Sequence, residues 1–355
     1  MRVSVFITTT TTTIIIIIMG DRHCLSNPFP WSSPRHPHTP SRPPTHPCPL
    51  HSSHQSLHKD ALLHATARVI SGGPIYVSDK PGQHDLALIR RLVLPNGTVL
   101  RGEVPGRPTR DCLLSDVQRD GTTALKVWNH GPVVGQLATF NVQGAAWSPQ
   151  RREFVFHSPG ESPPVVTSHL RPSDVEHRTF RESSPESSFV VRSSRTGEVR
   201  VLDRDQAWSI PLEPFTSEML AISKRIEIAP TFDVAPLGLS HLLAPGFSVR
   251  RCEAVHRRGA PKGVDVAVVG GRGRGRGRGT GDGDGEETNE VDHEVLVWCS
   301  RAPSRVEVDG VEVTGWTRDD KTGVVSVPMP AASQEVEVEV EVEMEMEEHV
   351  VTLMA

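Results

Sequence analysis

From Thr123 onward the hydrophobic pattern of this 355-residue chain runs with a period of two, and that limits its fold more than any other feature. Segments 125–128, 135–141, 154–157, 188–192, 199–202, 219–228, 264–269, 294–299, 306–313 and 323–328 are short, rich in β-branched residues and bounded by turn signals. Alternating side chains point to opposite faces of a sheet, so each segment needs a layer to cover its apolar face. Short strands at this spacing predict an antiparallel β-sandwich over residues 113–355. Two repeats interrupt the pattern. Residues 271–285 alternate Gly first with Arg and then with Asp, too flexible for a strand interior, and predict a loop insertion at 270–290. Residues 335–348 alternate Glu with Val or Met, and their eight Glu predict a self-repelling edge strand.

Upstream the period is helical. Asp60 is placed to cap a helix running to Ile70, with Leu63, Ala67 and Ile70 on one face. Ser71-Gly72-Gly73-Pro74 ends it, Ile75-Tyr76-Val77 reads as a short buried strand, and Ser78-Asp79-Lys80-Pro81-Gly82 reads as the loop at its C-terminal end. Asp85 caps a second helix, where Leu86, Ile89 and Val93 share a face beside Leu88 and Leu92. Helix, strand, polar loop and helix make one βα unit of an α/β barrel, whose chemistry sits on loops at strand C-termini. Ser78, Asp79 and Lys80 are therefore the candidate site residues. A second reading stands beside this one, in which Ser78 and Asp79 cap a turn that Pro81 and Gly82 shape. One βα unit cannot close a barrel, so its apolar faces must pack on the β-domain or stay exposed.

Composition confines the core to the middle of the chain. With 29 Gly, 30 Pro, 36% apolar and 5% aromatic residues, part of the sequence will not pack. Residues 1–55 hold a Thr run, an Ile run and a Pro/His/Ser-rich stretch without period, and are expected to be a disordered leader. The leader is acid-poor with scattered Arg, which fits an organelle transit peptide, and Arg2 before an apolar run imitates a secretory signal; the expected location is cytoplasm or plastid. No run reaches the roughly 18 to 20 apolar residues of a membrane-spanning helix, so no membrane partner is expected. A net charge of −5 argues for no particular partner. The Arg-Gly tract holds four arginines with no interleaved aromatic, and Asp282, Asp284, Glu286 and Glu287 follow it, which argues against nucleic acid. The five Cys form no C-x-x-C pair, and neither they nor the 17 His show ligand spacing, so no disulfide framework, metal or cofactor is expected. Gly72 and Gly73 lack the Lys-Ser/Thr of a phosphate loop and read as sites of close packing or positive φ. Trp128, Trp147, Trp298 and Trp316, on or beside period-two segments, read as core rather than as sugar-stacking platforms.

The run His64-Ala65-Thr66-Ala67-Arg68-Val69-Ile70-Ser71-Gly72-Gly73-Pro74-Ile75-Tyr76-Val77-Ser78-Asp79-Lys80-Pro81-Gly82-Gln83-His84-Asp85 closely resembles the last barrel strand and loop of the raffinose synthase and seed imbibition family. The likeness continues through Arg90-Arg91-Leu92-Val93-Leu94-Pro95, then Pro105-Gly106-Arg107-Pro108-Thr109-Arg110-Asp111-Cys112-Leu113. Leu125-Lys126-Val127-Trp128-Asn129 and Phe140-Asn141-Val142-Gln143-Gly144-Ala145-Ala146-Trp147 follow, with weaker echoes at Ala235-Pro236-Leu237-Gly238-Leu239 and Asp320-Lys321-Thr322-Gly323-Val324. The resemblance implies that residues 56–112 are the end of a (β/α)8 TIM barrel and that the family's C-terminal β-domain follows. It implies a galactosyltransferase of the α-galactosidase superfamily, typically moving galactose from galactinol to sucrose to give raffinose, with these small carbohydrates as partners. Some members hydrolyse α-galactosides instead. A β-domain that binds carbohydrate without turnover is a further reading.

Relatives of this family work with two carboxylates, an Asp nucleophile in a Lys-x-Asp context and an Asp acid/base in an Asp-Asp context, which retaining transfer needs roughly 5 Å apart. Both belong N-terminal to Ser71, where this sequence shows neither. No catalytic residue is therefore assigned, Ser78, Asp79 and Lys80 are expected to line the galactosyl pocket, and residues 1–355 alone are expected to be inactive. Lys262-Gly263-Val264-Asp265 imitates the nucleophile context but falls inside the β-domain and reads as coincidence.

Overall fold

Most of the period-two segments become strands of three antiparallel sheets stacked in layers, while Phe154 and Val155 fall in a separate hairpin of Ala146–Ser148 with Glu153–Val155. The computed structural model describes residues 56–94, 96–144, 146–148, 153–155, 163–184, 186–229, 231–255, 262–269, 294–329 and 335–342, with a two-residue ladder of Val5–Phe6 on Ile17–Ile18 in the leader. The remaining leader and the insertion at 270–290 lie outside the described residues.

The first sheet contains β1 (Arg107–Pro108), β2 (Leu125–His130), β3 (Gly135–Phe140), β5 (Ser188–Ser193), β6 (Val199–Asp203) and β8 (Ser217–Lys224), in the order β6-β5-β8-β3-β2-β1. β2 and β3 are buried at every position because both faces are covered. One face packs on helix α1 (Ala61–Ser71). The other packs on the pair β4 (Val166–Leu170) and β7 (Trp208–Leu212) and on Phe180 of the short helix α3 (Arg178–Arg181). Alternation along β8 shows the sorting: Met219 and Ala221 join the core on the α1 side, while Leu220 and Ile222 join the opposite one.

The second sheet runs β9-β10-β13-β17-β16, from β9 (Ile226–Ala229), β10 (Phe232–Leu239), β13 (Glu294–Cys299), β16 (Thr317–Asp319) and β17 (Val324–Pro328). The third runs β11-β12-β18-β14-β15, from β11 (Val249–Val255), β12 (Lys262–Val269), β14 (Arg305–Val308), β15 (Val311–Glu312) and β18 (Glu335–Val342). Val234, Val295, Val297, Val325 and Val327 of the second sheet share a core with Val264, Val266, Val268, Val306, Val338 and Val340 of the third. The second sheet's other face, with Ala235, Leu237, Leu296 and Trp298, meets Val190 of β5, so it lies between the other two layers.

Three expectations need correction. The Glu-Val repeat is not an edge: β18 is the middle strand of its sheet, paired with β12 on one side and β14 on the other. Its valines bury fully at 338 and 340, and Glu307 of β14, opposite Glu339 in the ladder, pairs with Arg305 at 2.6 Å. The buried strand expected at 75–77 is absent; only an isolated bridge forms at Val77, and Tyr76 and Val77 are 61% and 41% exposed. No neighbouring strand stands beside it among the described residues, and an unpaired segment gains nothing by extending. The second helix, α2 (Leu86–Arg90), turns Leu88 inward, with Leu92 buried just beyond it, and leaves Leu86 exposed, so its buried face is rotated from the expected one.

Candidate functional site

Around Ser78, Asp79 and Lys80 the structure builds a pinned turn. α1 ends at Gly72, whose φ of 72° is the left-handed cap that glycine adopts without strain, and its N–H donates to the Val69 carbonyl. Beyond it the Asp79 carboxylate, with a side chain only 3% exposed, accepts from the Ser56 N–H at 2.8 Å and the Ser56 hydroxyl at 2.5 Å, and His84 Nδ1 lies 3.3 Å away. Ser56 Oγ in turn accepts from the Asp85 N–H at 2.7 Å, and Asp85 Oδ1 caps α2 by accepting from the Leu88 N–H at 3.0 Å. Burial alone would raise the Asp79 pKa, but the hydrogen bonds from Ser56 and the neighbouring His84 outweigh it and hold the carboxyl below its usual range. Ser78 and Lys80 are exposed. Asp79 therefore ties the chain before α1 to the loop after it, through a partner 23 residues earlier in the chain.

The residues that carry the family likeness make buried polar contacts on both faces of the first sheet, Asn129 toward α1 and Lys126 and Asn141 toward the β4 and β7 side. Asn129 is fully buried; its Nδ2 donates to the Ile70 carbonyl at the end of α1 at 2.8 Å, and its Oδ1 accepts from the His130 N–H at 2.7 Å. Gly102 lies so close to the Asn129 amide that a β-carbon there would overlap it, and Gly106 abuts the Ile70 carbonyl in the same way. Lys126, 3% exposed, donates to the His169 carbonyl and to Asp174 Oδ2, both at 2.8 Å, and pairs with Asp111 at 2.5 Å. The two carboxyls respond oppositely. Burial dominates at Asp174 and raises its pKa despite Lys126, whereas at half-exposed Asp111 the burial effect is overcome by Lys126 and Thr109 and the pKa falls. Asn141 Nδ2 bridges the Pro164 and Leu212 carbonyls at 2.9 Å each, and Gln143 Nε2 holds Asp120 at 2.7 Å.

Trp128 and Trp298 are buried and Trp316 packs on the core, as expected; the Trp147 side chain lies outside the described residues. Asp265 of the nucleophile-like motif sits on β12, opposite Glu253 and Glu339. One cluster has no counterpart in the sequence reading. Glu103, His130 and His177 each offer a ligand atom, all within 4.8 Å of one another, although they lie on three separate segments. Spacing rules cannot find such a set, because the ligands meet only once the loop before β1, the end of β2 and the cap of α3 have folded together.

A β-rich domain joined to a preceding helix by packing and by the Asn129 bond is the class of structure present. The chain belongs to the raffinose synthase or seed imbibition protein Sip1 family, whose model matches residues 49–327. It is 41% identical over 219 residues to the galactinol–sucrose galactosyltransferase of Oryza sativa subsp. japonica, covering 61% of this chain and 27% of that protein. It is 38% identical over 197 residues to the probable galactinol–sucrose galactosyltransferase 6 of Arabidopsis thaliana, covering 55% of this chain and 26% of the relative. Stachyose synthase of Pisum sativum matches at 30% over 279 residues, 77% of this chain and 29% of its own. The chain thus spans between a quarter and a third of the length of these curated relatives. Among solved structures, the isomalto-dextranase of Arthrobacter globiformis T6 complexed with panose aligns with 80% of this chain and 45% of its own at 14% identity and a TM-score of 0.25, too slight a likeness to bear on the fold.

Proposed function

We propose that residues 56–342 are the C-terminal portion of a retaining α-galactosyltransferase that moves galactose from galactinol to sucrose, forming raffinose. One observation carries the reading: the family match spans residues 49–327, and within it the family-like Asn129 of β2 hydrogen-bonds the Ile70 carbonyl of α1, joining the helix to the β-domain. In this reading α1 and the loop that follows are the last βα unit of a (β/α)8 barrel. Residues 75–77, which lack a sheet partner among the described residues, are the strand that barrel neighbours would complete. Asp79 holds the loop, and Ser78 and Lys80 reach the rim of the galactosyl pocket. The nucleophile and acid/base come from the barrel, and the β-domain supports it through the face of the first sheet that packs on α1.

The test is a graft. A chimera in which residues 56–342 replace the matching part of the Oryza sativa galactosyltransferase is expected to form raffinose from galactinol and sucrose, and residues 1–355 alone to form none. A folded chimera that only releases galactose to water would move the reading to a hydrolase, and raffinose formed by residues 1–355 alone would overturn the assignment of the carboxylates to the barrel.

A further inference from the structure

His130 is the most unusual polar residue in the described structure. Its side chain is fully buried at the end of β2, and neither ring nitrogen has a hydrogen-bond partner. An unsatisfied buried polar group costs on the order of 1 to 3 kcal/mol, so such a group calls for a physical account. Its surroundings supply one. Phe180 packs edge-on at 5.8 Å, the ring of His177 stacks on it at 3.5 Å, and Glu103 Oε2 lies 3.7 Å from His130 Nδ1. That last distance is too long for a hydrogen bond but suits two ligands of one ion. The Glu103 N–H donates to the His130 carbonyl at 2.8 Å, which fixes the backbone that carries the carboxylate.

We propose that Glu103, His130 and His177 form a binding site for a divalent cation of the zinc class, with two imidazoles, one carboxylate and an open fourth position toward solvent. Two nitrogens and one oxygen suit zinc or its neighbours in the first transition row rather than calcium or magnesium, which take oxygen ligands. His177 Nδ1 already accepts the Thr179 N–H at the start of α3, at 3.4 Å, so Nε2 is its ligand atom. The His130 and His177 rings lie only 21° from parallel, so capture of the ion requires one of them to turn, and His177 is the less buried. Burial, followed by the neighbouring His177, pushes the His130 pKa down to about 3, which keeps its imidazole in the neutral, ligating form. Glu103, its side chain 48% exposed, gives the ion a way in. Bound there, the ion would clamp the loop before β1 to the segment that carries α3, across the end of β2.

The experiment uses the full chain freed of metal with a chelator, then titrated with Co²⁺ and followed by visible absorption, with Zn²⁺ as competitor. Glu103→Gln, nearly isosteric, and His177→Ala are compared with the parent, with the unfolding midpoint of each metal-free protein as the check on folding. The expected result is at least a tenfold weaker Zn²⁺ affinity in each variant, and a Zn²⁺-induced rise in melting temperature that the parent shows and Glu103→Gln lacks. Equal affinity in the parent and both variants would place the ion on histidines elsewhere, those of the leader among them, and overturn the proposal, as would a parent that binds neither ion.

Discussion

Asn129 shows how much a single side chain can hold in this fold. It satisfies the Ile70 carbonyl in the last turn of α1 and the His130 N–H while excluding any side chain at Gly102. Asn129→Ala is expected to cost about 2 kcal/mol by leaving buried groups unpaired, and Gly102→Ala to cost a similar amount through overlap with the Asn129 amide. Because the second penalty exists only while Asn129 is present, the double variant should cost clearly less than the sum, as read from urea midpoints in a double-mutant cycle. Additive costs would mean that the two residues do not touch. The acid limb of stability follows from carboxyls whose pKa is depressed in the fold. For Asp79, Asp111 and Asp120, hydrogen bonds overcome burial, so the stability they contribute is present above the ordinary carboxyl value of 3.8 and is lost as pH falls through their lower folded values. Asp174, raised by burial, acts with the opposite sign and loses its contribution as pH rises through its folded value. The urea midpoint should therefore fall as pH drops below about 4, and Asp79→Asn should flatten that fall. The sequence marks Asp79 as a loop residue, but its partner Ser56 lies 23 positions earlier and only the fold brings the two together.

At the scale of elements, legibility followed pattern strength. Period-two runs with clean boundaries, such as β13, agree with their expected limits, whereas β10 was hidden by its own composition. Pro236 and Gly238 look like a turn in sequence; in the sheet they mark an irregular register between β10 and β13, with Gly238 at φ 96° packed on the Pro245 carbonyl. β7 was missed for a related reason, since Pro211 interrupts its run. The Glu-Val repeat was legible as a strand but not in its place, because alternation names two faces and says nothing of which edges are paired. Its central position has a direct check. Val340→Thr keeps the shape but buries a hydroxyl, and should lower stability by about 2 kcal/mol. Val311→Thr on the edge strand β15, where Val311 is 67% exposed, should have no measurable effect. Comparable effects in both variants would show β18 to be as exposed as β15.

For the whole molecule, the decisive contact is between α1 and the first sheet. Sequence alone leaves two fates for the apolar faces of residues 56–112, packing on the β-domain or exposure, and the structure uses both. Leu63, Ala67 and Ile70 of α1 bury in the same core as Val127, Ala138, Phe140 and Ala221, whereas Tyr76 and Val77 stay in solvent. Periodicity could place α1 on a helix but not assign it a partner, since its neighbours come from strands up to about 150 residues away, as in the hydrogen bond between Thr66 and Ser217. This division predicts a specific pattern of hydrogen exchange. Amides of the last two turns of α1, bonded within the helix and shielded by the sheet, should exchange as slowly as those of β2 and β3, while amides between residues 75 and 84 should exchange within the fastest class. If α1 instead exchanged as fast as that loop, its helix would be held only weakly by the first sheet, and the Asn129 bond to Ile70 would not fix the preceding region to the β-domain.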